Sequence, residues 1–347
     1  MHPSLSSSIR QNTSVTPSKV SVYPLENISV FEARGLDTLT FLQGQLTNDI
    51  VAPGSEQSRL AGYCTAQGRL LATMVLGEMP SIDGVPVVRG LIRSDILAPV
   101  LKRLSMFVMR SKVAITATEI GVVGVSAPTT EAAALASALK HALPDSPWQT
   151  IHAETGTWIA APSADPQLCR WWWIAGSLAQ AACEAVGAIW AYGDASIWES
   201  MDIQTGLPWI EARTQDLFIP QTLNLDLIGG VSFTKGCYPG QEIVARSHYR
   251  GTVKKRMALG MVQSTIQNPS DTTPKPGEDI FDGSQAEQPC GRLINVSTLL
   301  AGDSVEHWML FETTFDAYDH QQLRVVNGSG PAINTVPLPY STRPETK

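Results

Sequence analysis

The sequence predicts a mixed α+β protein, and three observations carry that prediction. A β-α-β-β-α-β order of periodic segments occurs twice before Ser196, the pattern of two tandem split β-α-β units of ferredoxin-like type. Beyond Arg256 the texture changes to short alternating runs broken by Pro, Gly, Asp and Ser, which reads as a small all-β barrel. The chain has 347 residues, of which 43% are hydrophobic and 16% charged. That length and composition suit about two to three globular domains with a sizeable core.

In the first unit, Ile28–Ala33 is a strand, Asp37 caps a helix running to about Leu46, and Arg69–Leu76 and Val87–Ile92 are strands. Ser94 or Asp95 opens a second helix with Leu97, Leu101, Leu104 and Val108 at helical spacing, and Val113–Thr116 closes the unit as a strand. In the second unit, Ile120–Val125 is a strand, Glu131–Leu143 an Ala-rich helix, and Thr157–Ala161 and Cys169–Ile174 are strands. Leu178–Val186 follows as a helix stopped by Gly187, and then Ala188–Ala191 as a strand. Ser196-Ile197-Trp198-Glu199 has the form of a capping box opening a helix to Gln204. Gly206 and Pro208 end it, and Trp209–Phe233 is mostly loop, with Gly229-Gly230 as a turn. In the barrel, the strands are Met257–Val262, Arg292–Val296, Val305–Phe311 and Leu323–Val326, with Gln267–Asp279 as a loop and Val336–Ser341 laid over the surface. The expected division is a flexible tail over 1–20, α+β units over 21–118 and 119–255, and the barrel over 256–347.

A net charge of −7 argues against coating nucleic acid or an anionic membrane, so any anion site is local. Cys64, Cys169, Cys183, Cys237 and Cys290 are odd in number and contain no C-x-x-C pair, so neither a disulfide framework nor a metal site is expected. The first twenty residues lack the apolar segment of a signal peptide or membrane span, which makes the cytoplasm the default location. Their Ser-rich, acid-free composition leaves the mitochondrial matrix as an alternative. Gly-rich phosphate loops and the zinc-protease and serine-hydrolase fingerprints are absent.

The stretch Lys235-Gly236-Cys237-Tyr238-Pro239-Gly240-Gln241-Glu242 concentrates the chemistry. Pro239 fits a first helical position, with the helix running to about Ser247 and closing at Tyr249-Arg250-Gly251. Cys237 then sits just before a helix start and beside Lys235, both of which favour a negative sulfur. Gly236 and Gly240 allow a tight bend. The alternative is a small apolar cysteine buried in a turn. A Cys/His dyad is disfavoured, since His248 lies at the far end of that helix. Arg246, Arg250, Lys254, Lys255 and Arg256 form an acid-free basic run, either a solvated face or an attraction for a carboxylate tail or phosphates. Trp171-Trp172-Trp173 reads as core with one exposed ring, while Trp198 is a candidate for stacking on a flat ligand.

The stretch KGCYPGQE, followed by IVARSHYRG and KKR, closely resembles the signature of the YgfZ family. Supporting pieces are Phe41–Asp49 (FLQGQLTND), Phe218-Ile219-Pro220-Gln221 leading to Gly229-Gly230, and the terminal Pro337-Leu338-Pro339-Tyr340. The resemblance implies a folate-binding protein that supports assembly or repair of iron–sulfur enzymes, including one that methylthiolates tRNA. It also implies kinship with the glycine-cleavage T protein, in which α+β domains and a C-terminal barrel form three lobes around a central folate cavity. Under it, Cys237 is a reactive thiol aided by Lys235, in a motif completed by Gly236, Gly240, Gln241 and Glu242. Trp198, Gln204 and Tyr238 line the pterin site, and Arg246 and Arg250 meet the carboxylate tail. The implied ligand is tetrahydrofolate or a derivative, and the implied partners are iron–sulfur enzymes, with neither stable nucleic-acid binding nor a membrane.

The chain departs from that pattern at three places. Ala72 and Thr73 occupy the region of the T protein's catalytic aspartate, which opposes an aminomethyltransferase. Gln204 replaces a carboxylate with an amide, and Ile28 stands where the family can carry a tryptophan. The rival readings are a folate-dependent one-carbon transferase and a ligand-free interaction protein with a structural Cys237.

Overall fold

The computed structural model describes residues 19–52, 54–175, 190–249, 253–265, 273–285, 288–302 and 304–343. The expected helix Leu178–Val186, most of the N-terminal tail and Arg250 lie outside the described residues.

Along the chain, β1 (Ser21–Pro24) and β2 (Ile28–Arg34) precede α1 (Thr38–Gln43). Next come β3 (Arg59–Cys64), β4 (Leu70–Ile82), β5 (Val85–Arg93), α2 (Leu97–Met106) and β6 (Ala114–Ala117). The middle of the chain supplies β7 (Val122–Pro128), α3 (Ala132–Leu139), β8 (Thr150–Ala153), β9 (Gly156–Ala160), β10 (Leu168–Ile174) and β11 (Ala191–Tyr192). Helices α4 (Ala195–Gln204) and α5 (Gln241–Tyr249) follow, and then β12 (Lys255–Thr265), β13 (Asp279–Asp282), β14 (Pro289–Ala301) and β15 (Ser304–Thr314). The described chain finishes with α6 (Phe315–His320), β16 (Leu323–Val325) and β17 (Asn334–Val336). None of the described helices is long and apolar enough to cross a membrane.

The strands form three sheets, in the orders β3-β4-β5-β2-β6, β11-β1-β7-β10-β9-β8 and β16-β13-β14-β15-β12-β17. The protein is therefore mixed α+β and mostly sheet. In the third sheet β16 and β17 are the two ends of the order, so the expected barrel is a half-barrel. Strand β1 joins the sheet of β7 and β10, although its sequence neighbours belong to the first sheet. Burial on both faces explains this. Val20 and Val22 enter the cluster of Val125, Trp171 and Trp173, and the Tyr23 ring lies 5.9 Å from that of Trp198.

Several elements lay below the periodic signal. Strands β3 and β8 carry little alternation, and β4–β5 is a hairpin turned by Asp83 and Gly84, both at positive φ, a turn that suits Asp-Gly. Helix α1 stops at Gln43 because Gly44 closes it onto Thr40 and Phe41, which frees Leu46 to bridge Tyr63. The N-cap of α4 is Asp194, which accepts from Ser196 N–H. The expected Ser196–Glu199 box does not form, since Glu199 is drawn to Arg93 and Asn27. No tryptophan of the run 171–173 is exposed, because β10 is covered on both faces. Trp172 enters the main core, while Trp171 and Trp173 enter the second cluster. Trp173 stacks on Trp158 at 4.7 Å.

Candidate functional site around the exposed cysteine

The segment 234–238 buries two of its residues and exposes three. Lys235 and Tyr238 are buried, whereas Gly236 and Cys237 are exposed. Lys235 Nζ donates to the carbonyls of Gln43 and, at 2.6 Å, Leu46, and sits 5.1 Å from the Tyr238 ring centroid. Burial brings the ammonium down to about 8, partly opposed by Asp49. Lys235 thus closes the turn after α1, taking the carbonyl of its last residue, Gln43, and that of Leu46 beyond it. Burial also pushes the Tyr238 hydroxyl up and the nearby buried Cys64 thiol up to about 12.

Hydrogen bonds bind this segment to FLQGQLTND. Thr47 Oγ1 donates to Gly230 O and accepts from Gly62 N–H, both at 2.7 Å, and Ser232 N–H donates to Thr47 O at 2.9 Å. Asn48 Nδ2 donates to Leu60 O and Gly229 O at 2.7 Å. Asn224, left-handed at φ 57°, donates to Met257 O at 2.9 Å and meets the Tyr340 hydroxyl, which in turn donates to Gly206 O at 3.2 Å. The separated sequence motifs are therefore one hydrogen-bonded framework, and Cys237 stands on its outer side.

Two features expected to favour the thiolate are placed otherwise. Gly240 takes φ +83°, so the helix begins at Gln241 rather than Pro239, and the Lys235 ammonium is committed to the carbonyls of Gln43 and Leu46. Of the two motif glycines, only Gly240 is sterically required. A Cβ there would lie 2.5 Å from Thr65 O and 2.6 Å from Gly68 Cα, whereas Gly236 has open space around it. Gln241 is half-buried and Glu242 exposed in the first turn of α5, with Arg246 exposed in its last turn. The basic run is not acid-free in space. Arg256 pairs with Asp226 at 2.6 Å and Lys255 with Glu312 at 3.6 Å, partners the local sequence does not contain. His248 stacks on Phe233 at 3.8 Å.

Trp198 belongs to a separate set of contacts. Its ring is 1% exposed, lies over Gly124, and has the Arg170 guanidinium 4.1 Å from its centroid. The open ring face expected for a flat ligand is therefore filled by protein. Gln204, half-buried, ends the same helix. Arg170 and Asp202, unforeseen from the sequence, form a buried pair at 2.6 Å, and Trp209 Nε1 donates to the second Asp202 oxygen at 3.0 Å. Among the described residues, six buried side-chain N–H groups lack acceptors: Trp172 Nε1, Trp198 Nε1 and Arg170 Nε, which lie together, and Trp190 Nε1, Arg93 Nε and Arg103 Nε. Unmet donors of this kind suit a ligand with ring nitrogens and a carbonyl, as a pterin has.

A second unforeseen network lies where β5, α4 and β14 approach. Arg93 donates to Glu199 at 2.7 Å and lies 3.5 Å from Glu211, whose other oxygen is 3.3 Å from Asn295 Nδ2. Burial pushes the Glu211 carboxyl from 4.5 up to about 7, against the pull of Arg93. The folded state then holds more protons than the unfolded between those values, so stability falls as pH rises through that window. Glu211→Gln is expected to flatten this slope in thermal unfolding between about pH 5 and 7, and an unchanged slope would refute the assignment.

No protein-family model matches the chain. Among curated proteins it is 29% identical over 311 residues to "tRNA-modifying protein YgfZ" of Edwardsiella ictaluri, covering 89% of this chain and 88% of the other. It is 27% identical over 343 residues to the protein of that name from Serratia proteamaculans, covering 97% of each. Among solved structures it is similar to the glycine cleavage system aminomethyltransferase T of Bartonella henselae, with a TM-score of 0.70 at 13% identity over 94% of this chain and 88% of the other. The resemblance carried by the KGCYPGQE signature therefore extends over most of the chain, which is a relative of the YgfZ proteins with the fold of the T protein.

Proposed function

We propose that this protein is a cytoplasmic, folate-binding accessory factor that supports iron–sulfur enzymes, a tRNA-methylthiolating enzyme among them, with Cys237 as its working thiol. The observation that carries this reading is the outward Cys237 on a framework whose neighbouring Lys235 and Tyr238 face inward. An exposed thiol held in this way suits thiol exchange or transient co-ligation with a partner, whereas one thiolate does not hold a cluster alone. The names of the similar curated proteins support a link to tRNA modification.

In the same reading, two ferredoxin-like units and the half-barrel form three lobes around the folate cavity. Trp172, Trp198 and Arg170 would offer their unmet N–H groups to the pterin, Gln204 would border it, and Arg246 with Arg250 would draw the carboxylate tail, while Tyr238, packed under Lys235, would serve the thiol framework instead. Bound tetrahydrofolate supplies an electron-rich pterin able to carry one-carbon groups. The aminomethyltransferase alternative is disfavoured by Ala72 and Thr73. Both are fully buried, and the Thr73 hydroxyl is engaged with Pro208 O and Ile210 N–H at 3.0 and 2.9 Å.

Complementation tests the thiol. In cells lacking their own YgfZ protein, the unaltered chain is expected to restore methylthiolated tRNA, measured by mass spectrometry of nucleosides. Cys237→Ser is expected to lose at least about tenfold of that restoration while its Tm stays within a few degrees, since an exposed side chain contributes little to stability. Full restoration by the serine variant would return Cys237 to a passive role.

A further inference from the structure

The corner between α2 and β6 is built unlike the rest of the surface. Met106, Phe107 and Met109 are 61%, 44% and 88% exposed in succession, and Leu36 in the adjoining turn is 62% exposed. That turn is held to the corner, since Asp37 N–H donates to Lys112 O at 3.2 Å and Lys112 N–H to Asp37 Oδ2 at 2.6 Å. The corner is also folded, with Phe107 N–H bonded to Leu104 O and Ser111 N–H to Val108 O. Met109 is nevertheless held at φ 42°, a conformation that costs free energy for a non-glycine residue. Folding alone gives no reason to hold three large apolar side chains in water on a strained turn.

Charge marks the same place. From Ile96 to Thr118 the chain carries Lys102, Arg103, Arg110 and Lys112 and no acid, within a protein of net charge −7. Lys102, Arg110 and Lys112 are exposed and form no ion pair among the described residues, while Asp37 is the acid at the edge. Arg103 is half-buried beside the buried Tyr63, whose backbone bridges Leu46, the residue that receives Lys235. The corner thus adjoins the framework that presents Cys237.

We infer that this α2–β6 corner is the docking surface for the iron–sulfur enzyme the protein serves, seating Met106, Phe107 and Met109 in an apolar depression rimmed by that enzyme's carboxylates. The inference rests on the reading under Proposed function and adds the surface. Apolar area decides between partner classes. A phosphate backbone matches the cations but leaves two methionines and Leu36 with nothing to bury against, whereas Met, Phe and Arg are the residue types that protein interfaces favour.

The test uses the full-length chain, a purified tRNA-methylthiolating iron–sulfur enzyme, and purified tRNA as a separate probe. The unaltered protein is expected to bind the enzyme, more weakly as salt is added. The triple variants M106S/F107S/M109S and K102E/R110E/K112E are each expected to weaken that binding at least about tenfold without lowering Tm, since few central residues dominate such interfaces. Variants that bind as the unaltered protein does would overturn the docking surface alone. Tight binding of bare tRNA, lost only on charge reversal, would make the corner an RNA surface and overturn it too. Failure of the unaltered protein to bind the enzyme would overturn the underlying reading and the docking surface together.

Discussion

Asp202→Ala is expected to cost about 3–5 kcal/mol of stability, the range for breaking a buried ion pair from one side. Arg170 and Asp202 are 2% and 4% exposed, and their contact is 2.6 Å. With the carboxylate gone, the guanidinium keeps the carbonyls of Pro162 and Trp198, at 2.8 and 3.4 Å, and the Trp198 ring face, but no counter-charge, and its charge stays in the core. Trp209 Nε1 loses its acceptor at the same time. Urea unfolding measures the loss. The double variant Arg170→Met/Asp202→Leu should recover much of it, because removing both charges removes the uncompensated one. Recovery should stay incomplete, since the indole N–H of Trp209 remains unpaired. A single-variant loss under about 1 kcal/mol would show that the pair contributes little.

Gly240→Ala is the second large effect, about 2–5 kcal/mol. The left-handed conformation at φ +83° costs an alanine about 1–2 kcal/mol. Contacts of 2.5 and 2.6 Å with Thr65 O and Gly68 Cα add overpacking of about 1–3 kcal/mol, since both atoms are backbone and cannot swing aside. Gly68 is itself left-handed at φ +73°, so the two glycines face one another where the β3–β4 turn meets α5. Gly236→Ala, in the same motif but in open space, is expected to change stability by less than about 0.5 kcal/mol. Equal losses at the two glycines, measured by urea unfolding, would contradict this division.

Much of the architecture was legible where side chains alternate strongly. Strands β2, β5, β7, β10 and β15 and helix α2 lie close to where periodicity put them, because each buries one face or both against a large core. The elements that periodicity missed depend on partners elsewhere. Strand β1 is only four residues long and exists as a strand because β7 and β11 flank it. Helix α6 is capped by Thr314, whose hydroxyl accepts from Ala317 N–H, a signal present in the sequence but hidden beside the long run of β15. The capping box at Ser196 failed for the opposite reason, since Arg93 at the end of β5 took its glutamate.

At the site, the sequence alone marked the KGCYPGQE segment, by a cysteine set between glycines, near a lysine and ahead of a helix start, and left a packed cysteine as the alternative. The direction each side chain faces was a tertiary matter. Lys235 looked like a companion to the thiol, yet the end of α1 and the turn after it lie beneath it, and the carbonyls of Gln43 and Leu46 capture its ammonium. Trp198 looked available for stacking, yet Arg170 and Gly124 occupy it. The sequence by itself determined residue chemistry, local periodicity and the identity of the motif, because these are properties of neighbours along the chain. Only the tertiary structure decided that Cys237 is exposed, which charges are paired and which glycine is indispensable, because burial and pairing depend on groups brought together from distant segments.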